Sequence, residues 1–296
     1  MNSERIVSLD AMGGDNGPEV IVPGAALSLV RRPGLRFKMY GDRARIEGVL
    51  ADHSELAART EVIHTDTVVS MDDKPGQAVR RGKGSSMWGA IEAVRAGEAD
   101  LVVSAGNTGA LMAMSKLILR PIADIERPAI AALWPTVRSE SIVLDVGANI
   151  GASSRQLCDF ALMGAAMARA IFHVEKPTVA LLNVGVEEIK GADEVKEAHA
   201  WLREASELPF AYEGFVEGDQ IGQGRVDVIV VEGFAGNIAL KTAEGTARQI
   251  SQYLRDAMQR SLFSRLGAFL AQGGFQILKN KMDPRRVNGG TFLGLN

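Results

Sequence analysis

Short apolar runs alternate with helical patterns along almost the whole 296-residue chain. The predicted strands are Arg5–Asp10, Arg36–Tyr40, Thr60–His64, Leu101–Ser104, Ala129–Trp134, Ile142–Asp145, Thr178–Asn183 and Val226–Val231. Helices are predicted to begin near Pro18, Arg43, Ser86, Asn107, Leu157, Ala192 and Asn237. Such alternation is typical of a mostly parallel sheet with helices on both faces. Because no linker interrupts the pattern, we predict one α/β domain over residues 1–296, although this length also suffices for two small domains.

The first strand and the first helix are joined by a glycine-rich loop. Asp10 ends an apolar run, Gly13, Gly14 and Asp15 follow, and Pro18 opens a helical pattern in whose first turn proline is favoured. Free N–H groups and the positive end of a helix dipole suit a phosphate, whereas an ordinary glycine-rich turn explains the same residues. The stretch has neither the Gly-x-Gly-x-x-Gly dinucleotide pattern nor the Gly-Lys-Ser/Thr of a Walker A loop.

Five of the predicted strands are each followed by a loop that pairs glycine with a polar residue. The carboxyl ends of parallel strands share one edge of a sheet, so we expect these loops to form a single polar crevice. The candidate binding residues are Asp10, Gly13, Gly14, Asp15, Ser104, Asn107, Thr108, Asp145, Asn149, Gly185, Glu187, Glu188, Lys190 and Asn237. The alternative role is helix capping or loop satisfaction for the carboxylates, and a solvated charge for Lys190, the only lysine in these loops.

The predicted crevice lacks the usual nucleophiles and metal ligands. No histidine lies in a glycine loop and no two have metal-ligand spacing, so no metal is expected, and His199 in its helical pattern is expected to be solvated. Cys158 opens an apolar helix, where a lowered thiol pKa and simple packing are the two alternatives. Backbone N–H groups, asparagine side chains and Lys190 suit group transfer without a covalent enzyme intermediate.

Composition excludes several classes of protein. The net charge of −3 and the lack of any nucleic-acid-binding motif argue against a nucleic-acid partner. The single cysteine fits a reducing cytosol, and the chain enters its first strand without a signal peptide. No uncharged apolar run approaches the ~20 residues of a membrane span. A cytoplasmic location is therefore expected.

Residues 248–282 carry a basic, amphipathic helical pattern, which we name the arm. Its apolar residues include Leu262, Phe263, Leu266, Phe269 and Leu270, with Arg260 and Arg265 among them and Lys279, Lys281, Arg285 and Arg286 following. We predict a helical hairpin that breaks at Gly273–Gly274 and has an exposed tip. Such an arm can be a core-facing helix, a dimer helix or a membrane-surface element. In the membrane interpretation the contacts are made by Arg260, Leu262, Phe263, Arg265 and Leu266.

Seven short motifs follow one another in order along nearly the whole chain. They are Leu9–Asp15 with Pro18, Lys83–Met87, Ser104–Ala110, Glu126–Ile130, Leu144–Asn149, Asn183–Gly191 and Gly233–Lys241. Together they closely resemble the motifs of the bacterial phosphate acyltransferase family, the acyl-[acyl-carrier-protein]:phosphate transacylases of phospholipid synthesis.

The resemblance implies a Rossmann-like three-layer α/β/α fold, related to phosphotransacetylases and isopropylmalate dehydrogenases, with a protruding helical pair. It implies a homodimer without an organic cofactor that moves a long-chain fatty acyl group from acyl carrier protein to orthophosphate. The acyl phosphate would pass to a downstream acyl-phosphate:glycerol-3-phosphate acyltransferase, which implies a peripheral association with the membrane surface. The functional lysine and asparagine of the family correspond to Lys190 and Asn237.

Two departures from the family pattern stand out. Glu232 replaces the aspartate that usually precedes Gly-Phe, and the chain stops at residues 290–296, where the family continues through a strand, a Lys-Ser-His-Gly segment and a helix. We therefore expect residues 1–296 to lack the C-terminal strand and helix of the family. Two alternative functions remain, a coenzyme A-dependent phosphate acetyl- or butyryltransferase and a non-catalytic phosphate- or nucleotide-binding module.

Overall fold

The computed structural model describes residues 4–282 and 289–296, with the side chains of residues 279–282 outside that description. The described chain forms two units. Unit 1 is Met1–Ile122 with Leu295–Asn296, and unit 2 is Ala123–Gly294.

Unit 1 is built on a four-stranded sheet of order β3-β2-β1-β4, all of whose pairings are parallel. Its strands are β1 (Arg5–Asp10), β2 (Leu35–Gly41), β3 (Thr60–His64) and β4 (Leu101–Ser104). Its helices are α1 (Pro18–Arg31), α2 (Arg43–Leu50), α3 (Ser54–Ala57), α4 (Pro75–Arg81), α5 (Ser86–Arg95) and α6 (Thr108–Ile118). The register pairs Asp10 with Ser104, so the loops after β1 and β4 leave the same edge.

Helices cover both faces of the unit 1 sheet. Leu9 and Met39 lie in a buried cluster with Val22 of α1, on one face. Tyr40 lies in another with Ala90 of α5. Successive strand residues point to opposite faces, so Met39 and Tyr40 serve different cores.

Unit 2 is built on a six-stranded sheet of order β10-β5-β6-β9-β7-β8. Its strands are β5 (Ala129–Pro135), β6 (Glu140–Leu144), β7 (Thr178–Leu182), β8 (Ala211–Val216), β9 (Val228–Val230) and β10 (Thr291–Leu293). Strands β6, β9, β7 and β8 pair in parallel, whereas β5 is antiparallel to β6 and β10. The loops that follow β6, β9 and β7 therefore leave one edge of this sheet.

The helices of unit 2 include α7 (Ser154–Phe172), α8 (Asp193–Glu204) and α9 (Gly233–Gln259), with a 3₁₀ helix at Gly218–Gln223. Leu144 and Leu181 are buried with Phe160 of α7 on one face of the sheet. Val143 and Ala180 are buried on the other face, in a cluster that also takes residues of the 3₁₀ helix and α9. Both faces are thus covered, as the continuous apolar strands require.

The α/β class and the mostly parallel pairing predicted from the alternation are confirmed. The prediction of one sheet is wrong, because the strands divide between two sheets. The five glycine loops therefore follow strands of different sheets, two in unit 1 and three in unit 2. That residues 1–296 act as one catalytic domain stays a prediction.

The arm continues from α9 into α10 (Leu262–Leu270) and α11 (Gln272–Met282). The predicted break at Gly273–Gly274 is wrong, since both glycines lie inside α11. The helices are interrupted instead before α10, where the Ser261 hydroxyl accepts the Ser264 N–H, and at Ala271 between α10 and α11. The side chains of Lys279 and Lys281, and all of Arg285 and Arg286, lie outside the described residues.

No residue of α10 is buried, and Leu262 and Phe263 are 80% and 88% exposed. The interpretation of this part of the arm as a core-facing helix is therefore wrong for the single chain. None of the helices described is long and apolar enough to cross a membrane.

Candidate functional site

In unit 1, the side chain of Asp10 links the glycine loop after β1 to the glycine loop after β4. Its Oδ2 accepts the Ser104 hydroxyl at 2.7 Å, and the Ser104 Oγ accepts the Gly106 N–H at 3.0 Å. A Cβ on Gly13 would lie 2.8 Å from both Asp10 Oδ2 and the Gly106 nitrogen, so only glycine fits between the loops. Asp10 is 2% exposed, and burial raises its pKa. The predicted residues Asp10, Gly13 and Ser104 are thus in contact.

The side chain of Asn107 also forms its hydrogen bonds within unit 1. Its Oδ1 caps α6 by accepting the Ala110 N–H at 3.0 Å, and its Nδ2 donates to the carbonyl oxygens of Met71 and Asp73, each at 2.9 Å. Both ends of this amide organise loops. Asp15 and Thr108, in contrast, have exposed side chains.

In unit 2, the fully buried Asp145 organises the loop after β6. Its carboxylate accepts five hydrogen bonds between 2.8 and 3.1 Å, from the N–H groups of Ile130, Gly147, Ala148 and Asn149 and from Asn149 Nδ2. The contacts therefore show the alternative role considered for this carboxylate, which is to accept the hydrogen bonds of its own loop. A binding role for Asp145 and Asn149 stays a prediction.

Glu232 caps α9. Its carboxylate accepts the N–H groups of Phe234 at 2.9 Å and Ala235 at 2.6 Å, and it also accepts the Gly151 N–H at 3.0 Å. One side chain therefore ties the start of α9 to the loop after β6. The glutamate that departs from the family pattern serves as a helix cap.

Several backbone N–H groups of the unit 2 loops already have acceptors. Those of Gly147, Ala148, Asn149, Gly151, Val184, Phe234 and Ala235 donate to side chains of unit 2 itself. These N–H groups hold the loops of unit 2, and the expectation that loop amides bind a phosphate stays a prediction.

The loop after β7 carries Lys190 and is closed by Asn183. The Asn183 Nδ2 donates to the Lys190 carbonyl at 3.0 Å, and its Oδ1 accepts the Val184 N–H at 2.9 Å. Gly191 has a φ of +97°, and a Cβ there would lie 2.0 Å from Asn183 Oδ1. Our list of candidate residues omitted Asn183. Its position at the end of a strand, eight residues before a glycine, is the signal that could have identified it.

The Lys190 side chain is paired with Glu187. The Lys190 Nζ lies 2.7 Å from Glu187 Oε1, and the two side chains are 48% and 53% exposed. The hydrogen bond between them raises the pKa of Lys190 and lowers that of Glu187, so both are charged at neutral pH. Both fold over Gly185, where a Cβ would lie 2.4 Å from Lys190 Cδ. Glu188 pairs with Arg203 instead.

Asn237 lies against the loop after β6. Its Nδ2 donates to the Val146 carbonyl at 3.2 Å, and a Cβ on Gly147 would lie 2.7 Å from that nitrogen. Because β6, β9 and β7 are parallel neighbours, Asn237 near the start of α9 and Lys190 in the loop after β7 both follow strands that end at the same sheet edge of unit 2. Both side chains are exposed there.

Cys158 and His199 are packing residues. Burial raises the pKa of the Cys158 thiol to about 11, and its Sγ lies 3.9 Å from the Ala198 carbonyl. The expectation that His199 is solvated is wrong, since its Nδ1 is 2.7 Å from the Tyr212 hydroxyl and its ring stacks on Phe215 at 4.3 Å. Among the residues described, no group of three His, Cys, Asp or Glu side chains could hold a metal.

We expect Cys158 in the folded protein to react with a disulfide reagent at pH 8 about 100-fold more slowly than in the unfolded chain. The reason is that a pKa of about 11 in place of 9.0 leaves about one-hundredth as much thiolate. With a reagent that releases a coloured thiolate, the absorbance change with and without denaturant measures both rates. Equal rates would return Cys158 to the list of candidate nucleophiles.

The profile of the fatty acid synthesis protein family matches residues 6–296. The chain belongs to this family. A protein of Rhizobium rhizogenes named phosphate acyltransferase is 62% identical over 291 residues, covering 98% of this chain and 84% of that protein. One from Xanthobacter autotrophicus with the same name is 61% identical and is covered to 82%.

Solved structures agree with the fold. A phosphotransacetylase from Streptococcus pyogenes superposes with a TM-score of 0.60 at 17% identity, covering 83% of this chain and 82% of that one. The EutD phosphotransacetylase from Staphylococcus aureus superposes with a TM-score of 0.59 at 20% identity, covering 82% and 83%. The predicted relation to phosphotransacetylase folds is confirmed.

Proposed function

We propose that this chain is an acyltransferase that moves a long-chain acyl group from the thioester of an acyl carrier protein to orthophosphate. The observation that carries the proposal is the 62% identity, over 98% of the chain, to a protein named phosphate acyltransferase. The geometry of unit 2 supports it, because a cation and an amide are exposed on one sheet edge.

The reaction needs no nucleophile from the protein. A phosphate oxygen attacks the thioester carbonyl carbon and forms the C–O bond, and the resulting oxyanion collapses as the C–S bond breaks. The carrier thiolate leaves with the electron pair and takes a proton from solvent. The obstacle is the repulsion between the phosphate anion and the electron-rich carbonyl oxygen of the thioester, which positioning and a fixed positive charge overcome. In this scheme Lys190 binds phosphate and stabilises the oxyanion, and Asn237 orients phosphate or the carbonyl.

The other candidate residues take two roles in this scheme. Asp10, Asn107, Asp145 and Asn149 hold the loops, because their side chains are committed to hydrogen bonds within their own units. Gly185 supports the Lys190 side chain. Gly13, Gly14, Asp15, Ser104 and Thr108 stay predictions as phosphate-binding residues, as does Glu188.

The test is formation of acyl phosphate from purified protein and a long-chain acyl-carrier thioester, with and without phosphate. Product trapped as a hydroxamate should appear only with phosphate. Faster turnover of acetyl- or butyryl-coenzyme A would favour the alternative enzyme, and no turnover of any thioester would favour the binding module. A stable acyl-enzyme would contradict direct attack by phosphate.

We further propose a homodimer that contacts the membrane surface through the arm and delivers acyl phosphate to an acyl-phosphate:glycerol-3-phosphate acyltransferase. Support comes from α10, whose leucines and phenylalanines are exposed with Arg260 and Arg265 nearby. Apolar side chains enter the interface while the cations attract anionic headgroups or an acidic carrier. The proposed location is cytoplasmic and peripheral.

We expect Leu266→Glu to reduce co-sedimentation with anionic liposomes and to leave activity on soluble carrier thioester largely intact. Leu266 is 58% exposed, so the substitution costs little folding energy but places a charge in the apolar interface. Leu27→Glu is the matched control, because Leu27 is 65% exposed on α1. Unfolding, or dissociation of a dimer, by Leu266→Glu alone would assign α10 to a protein interface instead.

A further inference from the structure

The lysine proposed to bind phosphate shares its position with a carboxylate. The Lys190 Nζ is 2.7 Å from Glu187 Oε1, and a Cβ on Gly185 would lie 3.1 Å from that Nζ and 2.7 Å from Glu187 Oε2. The ammonium and both carboxylate oxygens are therefore gathered over one glycine. An ion pair this exposed stabilises the fold little.

A carboxylate beside a cation can tell one oxyanion from another. At neutral pH the phosphate dianion keeps one P–OH group, which can donate a hydrogen bond. Sulfate has the same charge and tetrahedral shape but has no hydrogen to donate. An ionised carboxylate only accepts hydrogen bonds. It therefore accepts one from the P–OH group of phosphate, whereas its oxygens repel the oxygens of sulfate.

We propose that Glu187 is a specificity-determining residue that selects phosphate by accepting a hydrogen bond from its P–OH group, while Lys190 binds a neighbouring phosphate oxygen. This inference rests on the proposed function, because that function places phosphate at Lys190. The carboxylate costs affinity for every dianion, and the phosphate dianion recovers that cost through its hydrogen.

The other carboxylates of the unit 2 loops do not serve this purpose. Asp145 is buried and accepts five hydrogen bonds, and Glu232 accepts three from backbone N–H groups. Glu188 is held by Arg203. Glu187 combines contact with Lys190 and a side chain that is 53% exposed.

The test measures the KM for phosphate and the competitive inhibition constant for sulfate in the wild type, Glu187→Gln and Asp193→Asn. Glutamine keeps the size of the side chain and can donate to a sulfate oxygen. We expect the ratio of the sulfate constant to the phosphate KM to fall about tenfold or more in Glu187→Gln, the scale of one charge-assisted hydrogen bond. Arsenate, which keeps a hydrogen at neutral pH, should follow phosphate in both proteins.

Asp193→Asn is the matched control. Asp193 also pairs with a lysine three residues away, Lys196, at 2.8 Å, and its removal changes the net charge equally. The ratio should keep its wild-type value in this variant. If Glu187→Gln lowers the phosphate and sulfate constants by the same factor, Glu187 only neutralises Lys190 and the proposal is overturned. The proposal is also overturned if Glu187→Gln changes neither constant, because the ratio of the sulfate constant to the phosphate KM then stays at its wild-type value.

Lys190→Ala separates this inference from the proposed function. A raised phosphate KM in Lys190→Ala with an unchanged ratio in Glu187→Gln would reject the role of Glu187 alone. An unchanged phosphate KM in Lys190→Ala would remove phosphate from this loop, and the proposed function would lose its binding site. Calorimetric titration of the intact protein with phosphate and with sulfate gives the same comparison without turnover.

Discussion

Replacing Lys190 by alanine is expected to lower kcat/KM for acyl transfer to phosphate by about 10²-fold or more, the scale of one lost oxyanion contact. The expectation rests on the position of the ammonium, exposed at the rim of a loop whose backbone is closed by Asn183. Because the Lys190 contribution to that closure is its carbonyl oxygen, which alanine keeps, the loop and the fold should survive. Steady-state kinetics with a circular dichroism spectrum of each protein provide the measurement.

Lys196→Ala supplies the control for this substitution. It removes a partly exposed lysine that is likewise paired with an acid three residues away, outside the glycine loops. Its kinetics should match the wild type. Asn237→Ala should resemble Lys190→Ala with a smaller loss, because an amide brings no net charge. Wild-type kinetics in Lys190→Ala would leave that residue as a solvated surface charge.

Strand and helix periodicity predicted most of the local structure but not the division into sheets. All eight predicted strands have a counterpart, and α1, α2 and α5 begin at the predicted residues. A parallel strand that is buried on both faces reads the same in either sheet, so the sequence pattern cannot say which strands pair. The strands β8 and β10 and the helices α3 and α4 were not predicted, and β10 and α3 are too short to show a period.

Helix starts were displaced where a side chain, and not periodicity, determines them. Helix α9 begins at Gly233, four residues before the predicted Asn237, because Glu232 caps it. Helix α7 begins at Ser154, because Ser153 and Gln156 form a capping box before the predicted start at Leu157. Capping residues precede the apolar stripe and are easily assigned to the loop.

The candidate residues were predicted by type, but their partners were not. An aspartate or asparagine after a strand can bind a ligand or hold its own loop, and the sequence motif is the same in both cases. Asp145 and Asn107 proved to be occupied by backbone groups, whereas Lys190 and Asn237 are exposed. Only the three-dimensional contacts separate these roles.

Asp145→Asn is expected to lower the free energy of unfolding by about 2 kcal/mol or more, since two buried donors left without an acceptor cost about 1–3 kcal/mol each. The amide can keep one accepting oxygen for Ile130, Gly147 and Ala148. Its NH₂ group would then face the two donors of Asn149, the N–H at 2.8 Å and the Nδ2 at 2.9 Å. Urea denaturation followed by tryptophan fluorescence measures the loss.

Asp193→Asn again provides the control, because it makes the same chemical change on a side chain that is 95% exposed. Its unfolding midpoint should stay close to that of the wild type. The two roles considered for Asp145 predict different results, because a ligand-binding carboxylate would lose affinity for phosphate at unchanged stability. Wild-type stability in Asp145→Asn would therefore contradict loop organisation, whereas a large loss of stability would support it.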